Sequence, residues 1–145
     1  LDKLTYTEKV VKETMRFYPT SVAISRDAVE DVEIGDTIIP KGSSVLFSQW
    51  LLHRDARFWD APEQFDPERF SPENEATINK YAYLPFGGGP RVCVGNAFAL
   101  MEARLALVTI LQHARLSLAP GYVMQPQFRF TLRPSGGLPM IVELL

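Results

Sequence analysis

Phe86-Gly87-Gly88-Gly89-Pro90-Arg91-Val92-Cys93-Val94-Gly95 contains the only cysteine among the 145 residues, set between glycines and two residues after an arginine. That setting suits a thiolate bound to a metal centre. A thiolate needs backbone donors and an electropositive surrounding to stay charged. Gly87, Gly88 and Gly89 allow a loop tight enough to bring amide N–H groups near sulfur, and Pro90 stiffens it. The sequence that follows, Asn96 to Leu107, reads as a helix, so Cys93 stands just before a helix N-terminus, whose positive end favours a thiolate. Arg91 projects to the same side of an extended loop as Cys93 and reaches an anionic group there. Phe86, seven residues before the cysteine, is placed to fold over the sulfur and exclude water.

Taken singly, these residues have ordinary explanations: a lone cysteine is a small buried hydrophobe, a glycine run is a turn, and a phenylalanine is core. Five positions spaced FxxGxRxCxG are far more specific. A nucleotide-binding loop fits worse, because Val92 stands where a dinucleotide fold needs its third glycine and no Gly-Lys-Ser/Thr follows.

Two further signatures lie upstream. Glu13 and Arg16, three residues apart, share one face of a helix and precede Phe17-Tyr18-Pro19. Such a pair is ordinarily a solvated surface contact of small worth. Pro67-Glu68-Arg69-Phe70 then stands between this pair and the cysteine loop.

Together the three segments resemble the cytochrome P450 family. Phe86, Gly89, Arg91, Cys93 and Gly95 resemble its heme-binding loop, Glu13 and Arg16 its ExxR motif, and Pro67 to Phe70 its PERF segment. Thiolate ligation of heme iron in that family assists O–O cleavage. The resemblance implies an α+β fold, mostly helical, with small antiparallel sheets and long ordered loops. It further implies that residues 1–145 are the C-terminal part of one P450 heme domain, with the helix that activates oxygen lying outside it.

The same resemblance implies heme b (iron protoporphyrin IX) as cofactor. Cys93 is the metal ligand and sole catalytic residue here, with Arg91, Phe86, Gly87, Gly95 and Arg26 around the cofactor. For Arg26 an ordinary surface arginine is the alternative. Glu13, Arg16 and Arg69 form a structural network in which loss of one partner strands a buried charge. Ser21, Val22, Ala23 and Phe130 line the substrate pocket, with core packing as the alternative.

The implied activity is monooxygenation: one oxygen atom of O2 enters a small apolar organic substrate, with electrons from a ferredoxin, a flavodoxin or a P450 reductase. Alternatives are a heme-thiolate peroxygenase or isomerase, or a heme-binding piece that is inactive when isolated. Arg104 is a candidate contact for an acidic redox partner, with plain surface solvation as its alternative.

Composition is that of an ordinary globular protein: 46% of residues are hydrophobic and 22% charged, with a formal net charge of −2. Nothing in that balance forms the footprint of a nucleic-acid binder. A single cysteine forms no internal disulfide, which favours a reducing, cytoplasmic setting. No run approaches the roughly 20 apolar residues of a membrane span, and anchoring through a preceding segment stays open. His53 and His113 have no carboxylate or cysteine neighbours at metal-ligand spacing, so both read as structural, His53 within a turn.

The patterning predicts a helix over Tyr6–Phe17, with Val10, Met15 and Phe17 packing, ended by Pro19. Strands follow at Ser21–Ser25, Val32–Ile34, Thr37–Ile39 and Ser44–Phe47, joined by turns at Gly35-Asp36 and Lys41-Gly42 into one small antiparallel sheet. From Trp50 to Leu84 no period is sustained, which predicts ordered loop with helical turns near Asp55 and Pro62. The helix after Gly95 runs to His113 with Leu100, Ala103, Leu107 and Leu111 as its core stripe. Phe128–Leu132 and Met140–Leu144 read as a terminal hairpin turning at Gly136-Gly137.

Overall fold

A computed structural model describes residues 4–145; Leu1–Lys3, part of the expected domain, lie outside the described residues. Helix α1 spans Thr5–Phe17 and ends where the Tyr18 N–H donates to the Thr14 carbonyl at 2.7 Å. Its buried face carries Val11, Glu13 and Arg16, whereas Val10, Met15 and Phe17 are only half-buried. The ion pair, rather than the expected apolar residues, is thus the most buried part of the helix.

Strand β1 covers Ile24–Asp27, three residues later than the sequence pattern places it. Ser21–Ala23 stay irregular because the Val22 carbonyl is taken by the Trp50 N–H at 3.1 Å and faces the Ser48 hydroxyl at 3.4 Å. Strands β2 (Val32–Ile34), β3 (Thr37–Ile39) and β4 (Ser44–Phe47) fall where expected. They do not make one sheet. β2 and β3 form a hairpin across Gly35, at φ +57°, while β1 pairs antiparallel with β4, Ile24 opposite Phe47 and Asp27 opposite Ser44.

The expected loop from residue 50 to 84 has its turns at Asp55, whose carbonyl accepts from Phe58 and Trp59, and at Ala61, whose carbonyl accepts from Gln64. It also holds short helical pieces that its lack of period conceals. Helix α2, Gln49–Leu52, starts at Ser48, whose hydroxyl accepts from the Leu51 N–H at 3.3 Å. A 3-10 turn over Pro67–Phe70 is capped by Asp66, and α3, Pro72–Glu75, by Ser71. In both, a capping side chain precedes proline at the first helical position, which lacks the N–H that would go unpaired there. Trp59, Phe70 and Ala82 form a buried cluster, joined by Ile78 and Tyr83.

Helix α4 spans Asn96–His113 as expected. Its predicted stripe is not a buried core: Leu100, Ala103 and Leu107 are half-buried and Leu111 is exposed. The helix is apolar on most sides, so hydrophobic spacing marks no single inner face. It is fixed to α1 by Arg104, which donates to Glu8 at 2.5 Å. Arg104 is thus engaged within the chain rather than free for a partner.

Beyond α4 the chain passes directly into β5, Ala114–Leu118, which the sequence reading missed. This strand, not Phe128–Leu132, pairs with β8, Met140–Leu144. β6 (Pro126–Phe128) pairs instead with β7 (Leu132–Pro134). The expected terminal hairpin is therefore two separate ladders, and Gly136 and Gly137, at φ +72° and +91°, turn the chain between them. Arg115-Leu116-Ser117-Leu118 alternates as a strand should, but its continuity with the helix obscures it. Among the described residues no helix is long and apolar enough to cross a membrane.

Candidate cofactor and active site

Glu13 and Arg16 are both fully buried, and the guanidinium uses all five of its N–H groups. Arg16 Nε donates to Glu13 Oε2 at 2.7 Å and Nη2 to Oε1 at 2.8 Å. The remaining protons go to the carbonyls of His53 at 2.7 Å, Pro62 at 2.9 Å and Gln64 at 3.0 Å. Glu13 Oε1 also accepts from the Asp66 N–H at 2.8 Å. Arg69 is the peripheral member: its Nε lies 3.5 Å from Glu13 Oε1, and its Nη2 donates to the Ala61 carbonyl at 2.8 Å. The pair thus ties α1 to four backbone points, at His53, Pro62, Gln64 and Asp66, of the segment that leads to the cysteine loop.

Around this anchor lie other buried polar groups. His53 is buried, its Nε2 accepts from the Leu84 N–H at 3.0 Å, and burial pushes its pKa down to about 4. That bond requires a bare Nε2, so the ring is neutral with its proton on Nδ1. Tyr83 donates to the Lys12 carbonyl at 2.9 Å, and its phenol is held above its ordinary pKa by burial and by the nearby Glu75 and Glu13. His113 lies at the far end of α4, its Nδ1 2.8 Å from the Thr109 carbonyl.

The cysteine loop closes on itself. The Gly87 N–H donates to the Leu84 carbonyl and the Cys93 N–H to the Phe86 carbonyl, each at 3.0 Å. Gly87 and Gly89 adopt φ of +76° and +71°, a region open to glycine at little cost. A side chain at Gly87 would also press on Ile24 Cδ1 at 3.2 Å. A 3-10 turn over Gly89–Arg91 follows, and Gly95 begins α4 with its backbone at Cys93: a β-carbon there would lie 3.9 Å from the sulfur.

The loop forms one wall of a cleft of about 810 Å³. Cys93, Arg91, Phe86, Gly87, Arg26, Ser21, Ala23 and Phe130, all singled out in the sequence, line it together. Val22 and Gly95 do not: Val22 is held by its carbonyl against α2, and Gly95 serves as helix cap. Met15, expected only as a packing residue, lines the cleft as well, and so do Gln49, Ala99 and Thr131, which were not singled out. Thr131 adjoins Phe130, and Ala99 is one helical turn from Gly95, so proximity to identified residues was their only signal.

No carboxylate stands among the cleft residues, while two guanidinium groups do. Among the described residues neither Arg26 nor Arg91 makes an ion pair; Arg26 Nη1 donates to the Ser25 carbonyl at 2.8 Å. One thiol, two unpaired cations and apolar walls fit a flat apolar group that carries a thiophilic metal and two acidic tails.

The sequence profile described as Cytochrome P450 matches residues 1–140. Cytochrome P450 3A16 of Mus musculus is 49% identical over 108 residues, 74% of this chain and 21% of that protein. Cytochrome P450 3A29 of Sus scrofa is 49% identical over 113 residues, 78% of this chain and 22% of that protein. The chain therefore spans about a fifth of the length of these relatives. Among solved structures, the heme domain of cytochrome P450DA is similar at a TM-score of 0.88 and 35% identity, covering 96% of this chain and 30% of that one. Retinoic acid bound cyanobacterial CYP120A1 is similar at 0.90 and 33%, covering 97% and 32%. With the FxxGxRxCxG loop, a buried Glu-Arg anchor and this likeness of sequence and backbone in one chain, the protein belongs to the cytochrome P450 family.

Proposed function

We propose that this chain supplies the thiolate half of a heme site in a monooxygenase that transfers one oxygen atom from O2 to a small apolar organic substrate. The observation that carries the reading is the single cleft in which Cys93, Arg91, Arg26 and the apolar Phe86 and Phe130 converge. Heme b, when bound, supplies an iron that takes electrons and activates O2.

Cys93 would hold the iron through sulfur and supply it with electron density. Arg91 and Arg26 would bind the two propionates as charge-assisted partners, orienting the group in the cleft. Phe86 screens the sulfur from water, keeping the local dielectric low. Met15, Ala23, Phe130 and Thr131 surround the substrate with mostly apolar surface, and a structural neighbour described with retinoic acid bound supports that substrate class. The buried Glu13–Arg16 pair, with Arg69, holds the approach to the loop and takes no part in proton transfer. Electrons come from a ferredoxin, a flavodoxin or a P450 reductase.

The test is the reduced, carbon-monoxide-bound spectrum of the full-length protein. A strongly red-shifted Soret band that disappears in Cys93→Ala and survives in His113→Ala is the expected result. The same band in Cys93→Ala, or its loss in His113→Ala, overturns the assignment.

A further inference from the structure

The cysteine loop leaves the rest of the fold at Leu84, and α2 together with its C-cap residue His53 holds both polar groups of that residue's backbone. Gln49 Nε2 donates to the Leu84 carbonyl, and the Leu84 N–H donates to His53 Nε2 at 3.0 Å. Gln49 and His53 are four residues apart, so they project from the same side of the turn, and both are fully buried. The Leu84 carbonyl also accepts from Gly87 at 3.0 Å, the bond that closes the turn into the loop. From the other direction, the His53 carbonyl accepts from Arg16 at 2.7 Å. A continuous run of hydrogen bonds thus leads from Glu13 and Arg16, through His53 and Leu84, to the turn that carries Phe86 and Cys93.

Packing alone does not account for an amide at position 49. Burying it costs free energy unless its polar atoms are paired, and Oε1 has no partner among the described residues. An apolar side chain of the same size would fill the space without that cost. The donor to Leu84 is the one thing it would not supply. α2 itself has four residues, too few for a helix to stand by its own hydrogen bonds, so its Ser48 cap, its attachment to Val22 and the Leu84 clamp fix it together.

We propose that Gln49 and His53 are positioning residues, which clamp the Leu84 backbone and so set where the Cys93 sulfur stands relative to the iron. The proposal rests on the reading of Cys93 as the axial ligand. It predicts that loosening the clamp would displace the sulfur from its place in the cleft while the fold persists.

The experiment uses the full-length, heme-loaded protein carrying Gln49→Leu, beside Ala114→Gly, a change at a buried position of β5 beyond the far end of α4 from the loop. The readout is the ratio of unshifted to red-shifted Soret band in the reduced carbon-monoxide complex, recorded with the unfolding midpoint. Gln49→Leu should raise that ratio roughly fivefold, the worth of one ordinary hydrogen bond, and Ala114→Gly should leave it unchanged at comparable loss of stability. Equal ratios in the two variants overturn the clamp. If Gln49→Leu takes up no heme, Gln49→Asn, which withdraws the amide by one methylene, is followed by hydrogen exchange. Faster exchange confined to the Gly87 and Cys93 amides supports the clamp, and uniform acceleration including α1 overturns it. A wild-type protein without the red-shifted band would refute the ligand reading itself, an outcome distinct from failure of the clamp.

Discussion

Two regions of this chain treat their charged groups in opposite ways. At the Glu13–Arg16 anchor, a guanidinium and a carboxylate are both inaccessible, and every guanidinium proton has an acceptor within the chain. At the cysteine cleft, two guanidinium groups and the only thiol face open space with no carboxylate among them. Buried charge persists only where the fold satisfies it. Charge left unpaired around an apolar cleft is free to meet something that the chain does not contain. The first region is built for folding and the second for binding, and the His53–Leu84 link joins them mechanically.

The largest effect that would break this contrast falls on the anchor. Arg16→Ala leaves the Glu13 carboxylate buried without its main partner and orphans three carbonyl groups, so a loss of about 3–5 kcal/mol is expected in denaturant unfolding of the full-length protein. A loss under 1 kcal/mol would mean that the pair is not the anchor it looks to be. Arg69→Ala should cost less, about 1–2 kcal/mol, since its approach to Glu13 is 3.5 Å and its other bond goes to a single carbonyl.

Acid attacks the link between the two regions. His53 titrates near 4 when folded against its ordinary 6.5. Between those values the unfolded chain holds the extra proton, so this group's contribution is complete above pH 6.5 and is lost as pH falls toward 4, amounting to roughly 3 kcal/mol. Unfolding free energies measured from pH 7 to 4 should show that decline in wild type. The decline should be shallower in His53→Gln, and equal slopes would remove His53 from the account.

The sequence exposed the two regions unequally. The cysteine loop is local: its glycines, arginine and cysteine lie within ten residues, and turn chemistry and helix polarity act over that range. Helices α1 and α4 were legible for the same reason. Strand pairing was not, because β5 and β8 are separated by the whole β6–β7 ladder and either order of pairing satisfies the alternation of side chains. The displaced start of β1 is set by a carbonyl bonded to α2, a contact with no local trace. Asp66-Pro67 and Ser71-Pro72 did carry a legible signal, a cap followed by proline, but the aperiodic stretch around them masked it. Gln49 was invisible, since a four-residue helix has no period and its partner lies 35 residues away.

The smallest expected change in stability belongs to the cleft, and it also provides the most direct measurement. In the full-length protein, the double variant Arg26→Ala with Arg91→Ala should unfold within about 0.5 kcal/mol of wild type, because among the described residues neither side chain makes an ion pair and Arg26 bonds only the adjacent Ser25 carbonyl. Its affinity for added heme should fall roughly a hundredfold with the loss of two charge-assisted contacts. Titrating heme into the apo forms of both proteins, with their unfolding free energies measured alongside, decides the matter. Weak heme binding at unchanged stability is the predicted result. Unchanged affinity, or a stability loss as large as that of Arg16→Ala, would contradict the claim that these unpaired charges hold the cofactor.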